Sequence, residues 1–190
     1  MTRIHPALAL SLAATLAAPA LAAETYSIDS KHTYPSFEIN HLGFSNQRGR
    51  FDKSSGKVTL DLAAKSGSVE LTVDATSINM GFADWDKHLR SEDFFAVEKF
   101  PTLQFKSDKL VFSGDKVVAA EGRFTLLGVT KPLRLSISNF TCGQHPMLRK
   151  QVCGAEVEAS IKRSDFGMLK YLTAVGDEVK LYSAVEIIHD

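Results

Sequence analysis

From Tyr26 to Ile187 apolar and polar residues alternate with a period of two, the pattern of strands that bury one face. Tyr26 and Ile28 open it, and a turn at Asp29-Ser30-Lys31-His32 leads to Pro35 through Leu42, where Phe37 and Ile39 oppose Ser36, Glu38 and Asn40. Val58, Leu60 and Leu62 then share a side, followed beyond Lys65-Ser66-Gly67 by Val69, Leu71, Val73 and Ala75. Leu103 and Phe105 lie on one strand, and Leu110 to Phe112 continue or neighbour it. Val118, Ala120, Gly122, Phe124 and Leu126 hold a single parity, long enough to span a barrel wall at about 3.3 Å per residue. After the turn at Gly128 come Leu133, Leu135 and Ile137, then Ala155, Val157, Ala159 and Ile161, and last Val179 to Ile187.

About eight strands joined mostly by short turns predict an all-β chain. An open sheet of that size exposes its edges, so the expected fold is a single up-and-down antiparallel barrel. A sandwich shares the periodicity. A barrel of this size is filled by its own side chains or holds one small ligand, so function turns on which.

One stretch breaks the period. Between Ala83 and Lys106, Trp85 and Leu89 stand four apart and Asp86 faces Arg90, which predicts one short helical insertion. Asp84 is expected to cap it, Ser91 with Glu92 and Asp93 to start a further turn, and Pro101 to return the chain to a strand. Trp85, Leu89, Phe94, Phe95, Val97 and Phe100 give this insertion the apolar load to cover a barrel end.

Composition narrows the function classes. Residues 1–22 read as a signal peptide, with Arg3, an apolar run from Ala7 to Ala18, and Ala20-Leu21-Ala22 as the cleavage site. A single domain over 23–190 is expected, exported and without a lipid-anchoring Cys after the cleavage site. Basic and acidic residues number 22 each, so the chain has no basic excess for nucleic acid or a strongly anionic surface. Cys142 and Cys153 both fall in the exported part and are expected to form a disulfide across a long connection. The competing readings are two ligands of a metal site or a reactive thiol pair, but there is no Cys-x-x-Cys and only His145 lies between them.

Catalytic patterns find little foothold. His32, His41, His88, His145 and His189 have no metal-binding spacing, and no Gly-x-Ser-x-Gly elbow or phosphate-cradling loop occurs. Neither a metal nor a cofactor is expected. Arg48, Arg50, His88 and Arg90 could gather at one barrel end and hold the head group of a lipid, or simply pair with nearby acids as a solvated rim. The tail would lie among Phe37, Ile39, Phe51, Phe94, Phe105, Phe124, Leu126, Ala159 and Phe166. Each methylene withdrawn from water contributes about 0.8 kcal/mol, enough to hold such a tail after ordering costs.

A set of motifs in order along the chain resembles the YceI-like family: His41-Leu42-Gly43, Arg48-Gly49-Arg50-Phe51, Asp86-Lys87-His88-Leu89-Arg90-Ser91-Glu92-Asp93-Phe94-Phe95, Phe100-Pro101-Thr102-Leu103-Gln104-Phe105-Lys106-Ser107, Leu127-Gly128-Val129-Thr130-Lys131-Pro132 and Arg163-Ser164-Asp165-Phe166-Gly167. The resemblance implies a lipocalin-like barrel in the bacterial periplasm that holds an isoprenoid or similar long-chain lipid, of quinone or prenyl phosphate type. It supplies no agreed catalytic residues, and the two cysteines depart from many relatives. A non-enzymatic carrier is therefore expected, as monomer or homodimer and with at most transient membrane contact. The alternatives are an envelope stress protein with a filled barrel acting through its surface, and an enzyme acting on an isoprenoid.

Overall fold

The structure, a computed structural model, describes residues 23–190, so the signal peptide expected over 1–22 lies outside the described residues. The strands are β1 (Glu24–Ile28), β2 (Ser36–His41), β3 (Ser45–Phe51), β4 (Ser54–Asp61), β5 (Ser66–Asp74) and β6 (Ile78–Asn79), then helix α1 (Ala83–Arg90). After it come β7 (Thr102–Ser113), β8 (Lys116–Leu126), β9 (Val129–Gln144), β10 (Gln151–Lys162) and β11 (Val175–His189). All pairings are antiparallel, and the ring β1-β4-β5-β7-β8-β9-β10-β11 closes because β11 returns to β1. Closure leaves this ring without an edge, the solution expected from the alternation.

β11 changes partner along its length. Its upper part pairs with β2, ending at Tyr182 opposite Ser36, while its last residues pair with β1, beginning at Ile187 opposite Ile28. Residues 29–35 occupy the interval, where the strand ladder gives way to a loop that bonds β11 at Glu186: Asp29 N–H donates to the Glu186 carbonyl at 2.9 Å, and Glu186 N–H donates to Thr33 Oγ1 at 3.1 Å. The loop is also anchored on its other side, where Phe51 N–H donates to the Pro35 carbonyl and Ser54 Oγ to that of Thr33.

The insertion and the turns after it close the end of the barrel at which β7 begins. Phe95 packs edge-on against Phe51 at 5.4 Å, and Phe94, Val97, Leu126, Phe166 and Met168 are buried there. Two local expectations for α1 are corrected. Phe82 is its N-cap, with no side-chain cap, and Asp84 lies inside the first turn. Asp86 accepts a hydrogen bond from Met80 N–H, and Arg90 donates to the carbonyls of Thr76 and Ile78 at 2.8 and 3.0 Å, so the Asp86–Arg90 pair does not form. Backbone carbonyls beside the helix take the guanidinium in preference to a half-buried carboxylate already engaged by Met80 N–H, because leaving such carbonyls unmet is costly.

Below the β10 end, a short 3-10 helix at Arg163–Phe166 carries a side chain the sequence did not mark out. Arg163 is 1% exposed, and its guanidinium donates to the carbonyls of Gly176, Met168 and Val175, each at 2.9 Å. Burial holds it below its ordinary pKa, partly offset by Asp177. Gly167 ends the helix at φ +83°, a conformation that a side chain would strain. Asp177 accepts from both Ser164 N–H and Ser164 Oγ, at 2.9 and 2.8 Å. The Ser164 backbone bond is the main reason its carboxyl titrates below the usual value. A depressed folded-state pKa contributes stability above the unfolded value, about 3.9, that is lost as pH falls through the folded value. The stability gap between wild type and Asp177→Asn is therefore expected to narrow in chemical denaturation series run from neutral pH towards about pH 2.

The disulfide is present, but its setting differs from the expected long connection. Cys142 and Cys153 are direct register partners on β9 and β10, with Cα atoms 4.0 Å apart, and both strands continue beyond them. The connection spans only residues 145–150. In the chain-entropy account such a loop contributes about 3 kcal/mol. Non-reducing peptide mapping should find both cysteines joined, and reduction should lower the denaturation midpoint while the eight-stranded ring persists by far-ultraviolet circular dichroism.

Candidate ligand-binding cavity

Under the cap, the barrel interior is not filled. A cavity of about 190 Å³, traced by the centre of a water-sized sphere, runs from the aromatic layer of Phe37, Phe51, Phe105 and Phe124 down to Leu60, Val117, Cys153 and Ile187. No histidine, carboxylate, lysine or arginine lines it. Such an apolar space carries no ionisable group for proton transfer, but it can take hydrocarbon.

The two walls differ. On β4, β5, β7 and β8 most inward residues, Val58, Leu60, Val73, Phe105, Leu110, Val117, Ala120 and Phe124, are buried, and Val69 and Leu71 on β5 are half-buried. On β9, β10 and β11 the inward residues Leu133, Leu135, Ile137, Phe140, Ala155, Val157, Ala159 and Leu181 line the cavity and are only half-buried. Apolar side chains at inward positions normally reach native packing density, so this run of half-buried residues marks space for an occupant, while Cys153, Val179 and Ile187 of the same strands are buried. The small residues on the two walls have different effects. Gly122 makes no cavity, because the Phe105 ring lies 2.8 Å from where its Cβ would be, whereas Ala155 and Ala159 face open space.

Of the tail-binding residues expected from the sequence, Phe37, Phe51, Phe105, Phe124 and Ala159 line the cavity. Ile39, Phe94, Leu126 and Phe166 do not; Phe94, Leu126 and Phe166 are buried, with the Phe166 ring edge-on to Phe124 at 5.6 Å, and Ile39 packs against the core. Arg48 and Arg50 share one face of β3, and each of the expected head-group residues is already engaged. Arg48 pairs with Glu38 at 2.7 Å, and Arg50 pairs with Asp52 at 2.8 Å while lying over the Tyr34 ring. His88 is 3.6 Å from Asp93, and Arg90 holds two backbone carbonyls. None of the four reaches the cavity lining. What sequence reasoning missed is the part of the lining contributed by Thr33, Ser36, Tyr182 and Ser183, and the β9 wall, whose parity was legible.

The YceI-like domain family matches residues 26–187, nearly the whole described chain. The chain belongs to the YceI-like family. A UPF0312 protein from Pseudomonas aeruginosa is 38% identical over 183 residues, covering 95% of this chain and 94% of its own length. The protein YceI of Salmonella arizonae is 38% identical over 170 residues, 88% of this chain and 87% of its own. Among solved structures, the YCEI protein of Campylobacter jejuni is 28% identical with a TM-score of 0.66, over 80% of this chain and 90% of that one. A polyisoprenoid binding domain from Saccharophagus degradans shares the fold at 16% identity and a TM-score of 0.66, over 87% of this chain and 98% of that one. These relatives agree with the barrel as the fold in which the cavity lies.

Proposed function

We propose that this YceI-like protein is an exported carrier that holds a polyisoprenoid or similar long-chain amphiphilic lipid in its barrel, without chemical change to it. The observation that carries this reading is the unfilled apolar cavity bordered by half-buried apolar residues of β9, β10 and β11. The polyisoprenoid binding of the Saccharophagus degradans domain is consistent with the same class of cargo. The disulfide fits an oxidising compartment, and together with residues 1–22 read as a leader it supports the periplasm. No helix among the described residues is long and apolar enough to cross a membrane, so exchange of cargo with a bilayer is proposed as a transient contact.

A ligand that binds only the folded state raises stability by about 2.7 kcal/mol at a hundredfold excess over Kd, roughly 5–10 °C in Tm for a domain of this size. Delipidated protein mixed with a long-chain isoprenoid alcohol should show such a rise, and an isoprenoid of one unit should not. Equal Tm values with and without the long chain, at concentrations where it stays monomeric, would contradict the reading.

A further inference from the structure

Ten large apolar or aromatic side chains are exposed among the described residues, and none of them lies within a strand of the barrel wall. Three, Leu62, Met147 and Leu148, are in turns at the end away from the cap. The other seven gather at the capped end: Leu42 and Phe44 in the β2–β3 turn, Phe82 and Trp85 at α1, and Leu169, Tyr171 and Leu172 in the loop before β11. Phe44 is 89% exposed and Leu169 61%. A scattered exposed apolar residue is ordinary, but seven from three distant segments at one end of a barrel mark a contact surface.

Contacts tie the three segments into one rim. Leu42 N–H donates to the Ala174 carbonyl at 2.7 Å, the His41 ring lies 6.4 Å from that of Trp85, and Phe82 is edge-on to Trp85 at 6.1 Å. Tyr171 donates to Asp93 at 3.0 Å and stacks on Phe94 at 5.8 Å. Phe94 is buried in the cap, and its neighbour Phe95 meets Phe51 of the cavity lining, so the rim is continuous with the layer that covers the cavity.

The chemistry of the rim selects its partner. Residues 41–45, 81–99 and 168–174 hold five carboxylates and four lysine or arginine side chains, so the rim is nearly neutral. It offers no excess charge to an anionic membrane or to a strongly charged protein. Side chains standing singly on separate turns also lack the continuous close-packed face of an interface between proteins. The headgroup boundary of a bilayer accepts them one by one, and Trp and Tyr favour that boundary.

We propose that the rim formed by the β2–β3 turn, α1 and the 168–174 loop docks on the surface of a zwitterionic lipid bilayer, inserting Phe44, Trp85 and Leu169 at the headgroup boundary. The choice of a bilayer rests on the carrier reading and deepens it, by naming the surface that meets the membrane giving or receiving the cargo. Apolar insertion rather than net charge supplies the affinity, which is therefore reversible and insensitive to salt.

Trp85 is the only tryptophan of the chain and so reports docking by its own fluorescence. When phosphatidylcholine vesicles are added to the delipidated mature protein, its emission should move to shorter wavelength and become less accessible to acrylamide, equally at low and high salt. The double variant Phe44→Ser/Leu169→Ser should partition at least about tenfold more weakly in vesicle cosedimentation, while Met147→Ser, at the other end, should match wild type. Equal partition of the double variant, or binding seen only with anionic vesicles and abolished by salt, would overturn the proposal. So would a dimer in sedimentation velocity without vesicles that the double variant dissociates, since a second copy would then cover the rim. Protein that takes up monomeric geranylgeraniol but ignores the vesicles would overturn the docking surface and leave the carrier reading intact. Protein that docks as described but takes up no geranylgeraniol would support the docking surface and refute the carrier reading.

Discussion

Replacing Arg163 with methionine is expected to destabilise the protein by about 3 kcal/mol or more, an effect larger than any single exposed ion pair here can supply. Three carbonyls, those of Gly176, Met168 and Val175, converge on one guanidinium, and a thioether can meet none of them. Each buried carbonyl left unpaired costs about 1–3 kcal/mol. The group sits where β10 ends and the chain turns back into β11, so the loss also loosens the entry of β11, the strand that closes the ring. Arg163→Lys should recover only part of the stability, because an ammonium is a compact charge without the planar fork that spans three acceptors. Equilibrium urea denaturation of wild type and both variants gives the measurement. A methionine variant within about 1 kcal/mol of wild type would mean that water replaces the guanidinium without loss.

Filling the cavity from the β10 wall has the opposite balance. Ala159 faces open space, so in Ala159→Trp the indole should find room in the ligand-free protein and leave its stability nearly unchanged. In a filled barrel the same change would overpack the core and cost about 1–3 kcal/mol. The indole would exclude several methylenes of a bound tail. Three of them at about 0.8 kcal/mol each correspond to roughly fiftyfold weaker binding. Thermal melts and a long-chain alcohol titration of the delipidated variant, side by side with wild type, separate the two cases. A large drop in Tm without ligand would identify a packed interior.

The barrel was legible because alternation is long and regular wherever the ladder is unbroken, as from Ala120 to Leu126. It misleads at bulges. The register shifts near Lys106/Lys109, Val111/Phe112 and Gly154/Glu156, and the parity that puts Val118 inward is overturned: Val117 lines the cavity instead. An extra residue in one strand exchanges its faces, and no composition signal marks where that happens. The helix was legible from its change of period, but its polar partners were not, since Arg90 bonds residues 76–78 rather than its own helix. Phe37, Phe51, Phe105, Phe124 and Ala159 could be read as lumen residues from parity alone. The basic cluster could not be tested by counting charges, because each cation's partner, such as Glu38 for Arg48, is set by cross-strand register.

The central claim is that the unfilled barrel holds one long-chain lipid, and native mass spectrometry of the protein purified gently from cells that export it tests this most directly. The expected spectrum contains a species heavier than the mature chain by the mass of one lipid, which is released on extraction and restored on adding that lipid back. A spectrum with the bare mature mass alone, from protein that also takes up no long-chain isoprenoid when titrated, would contradict the account.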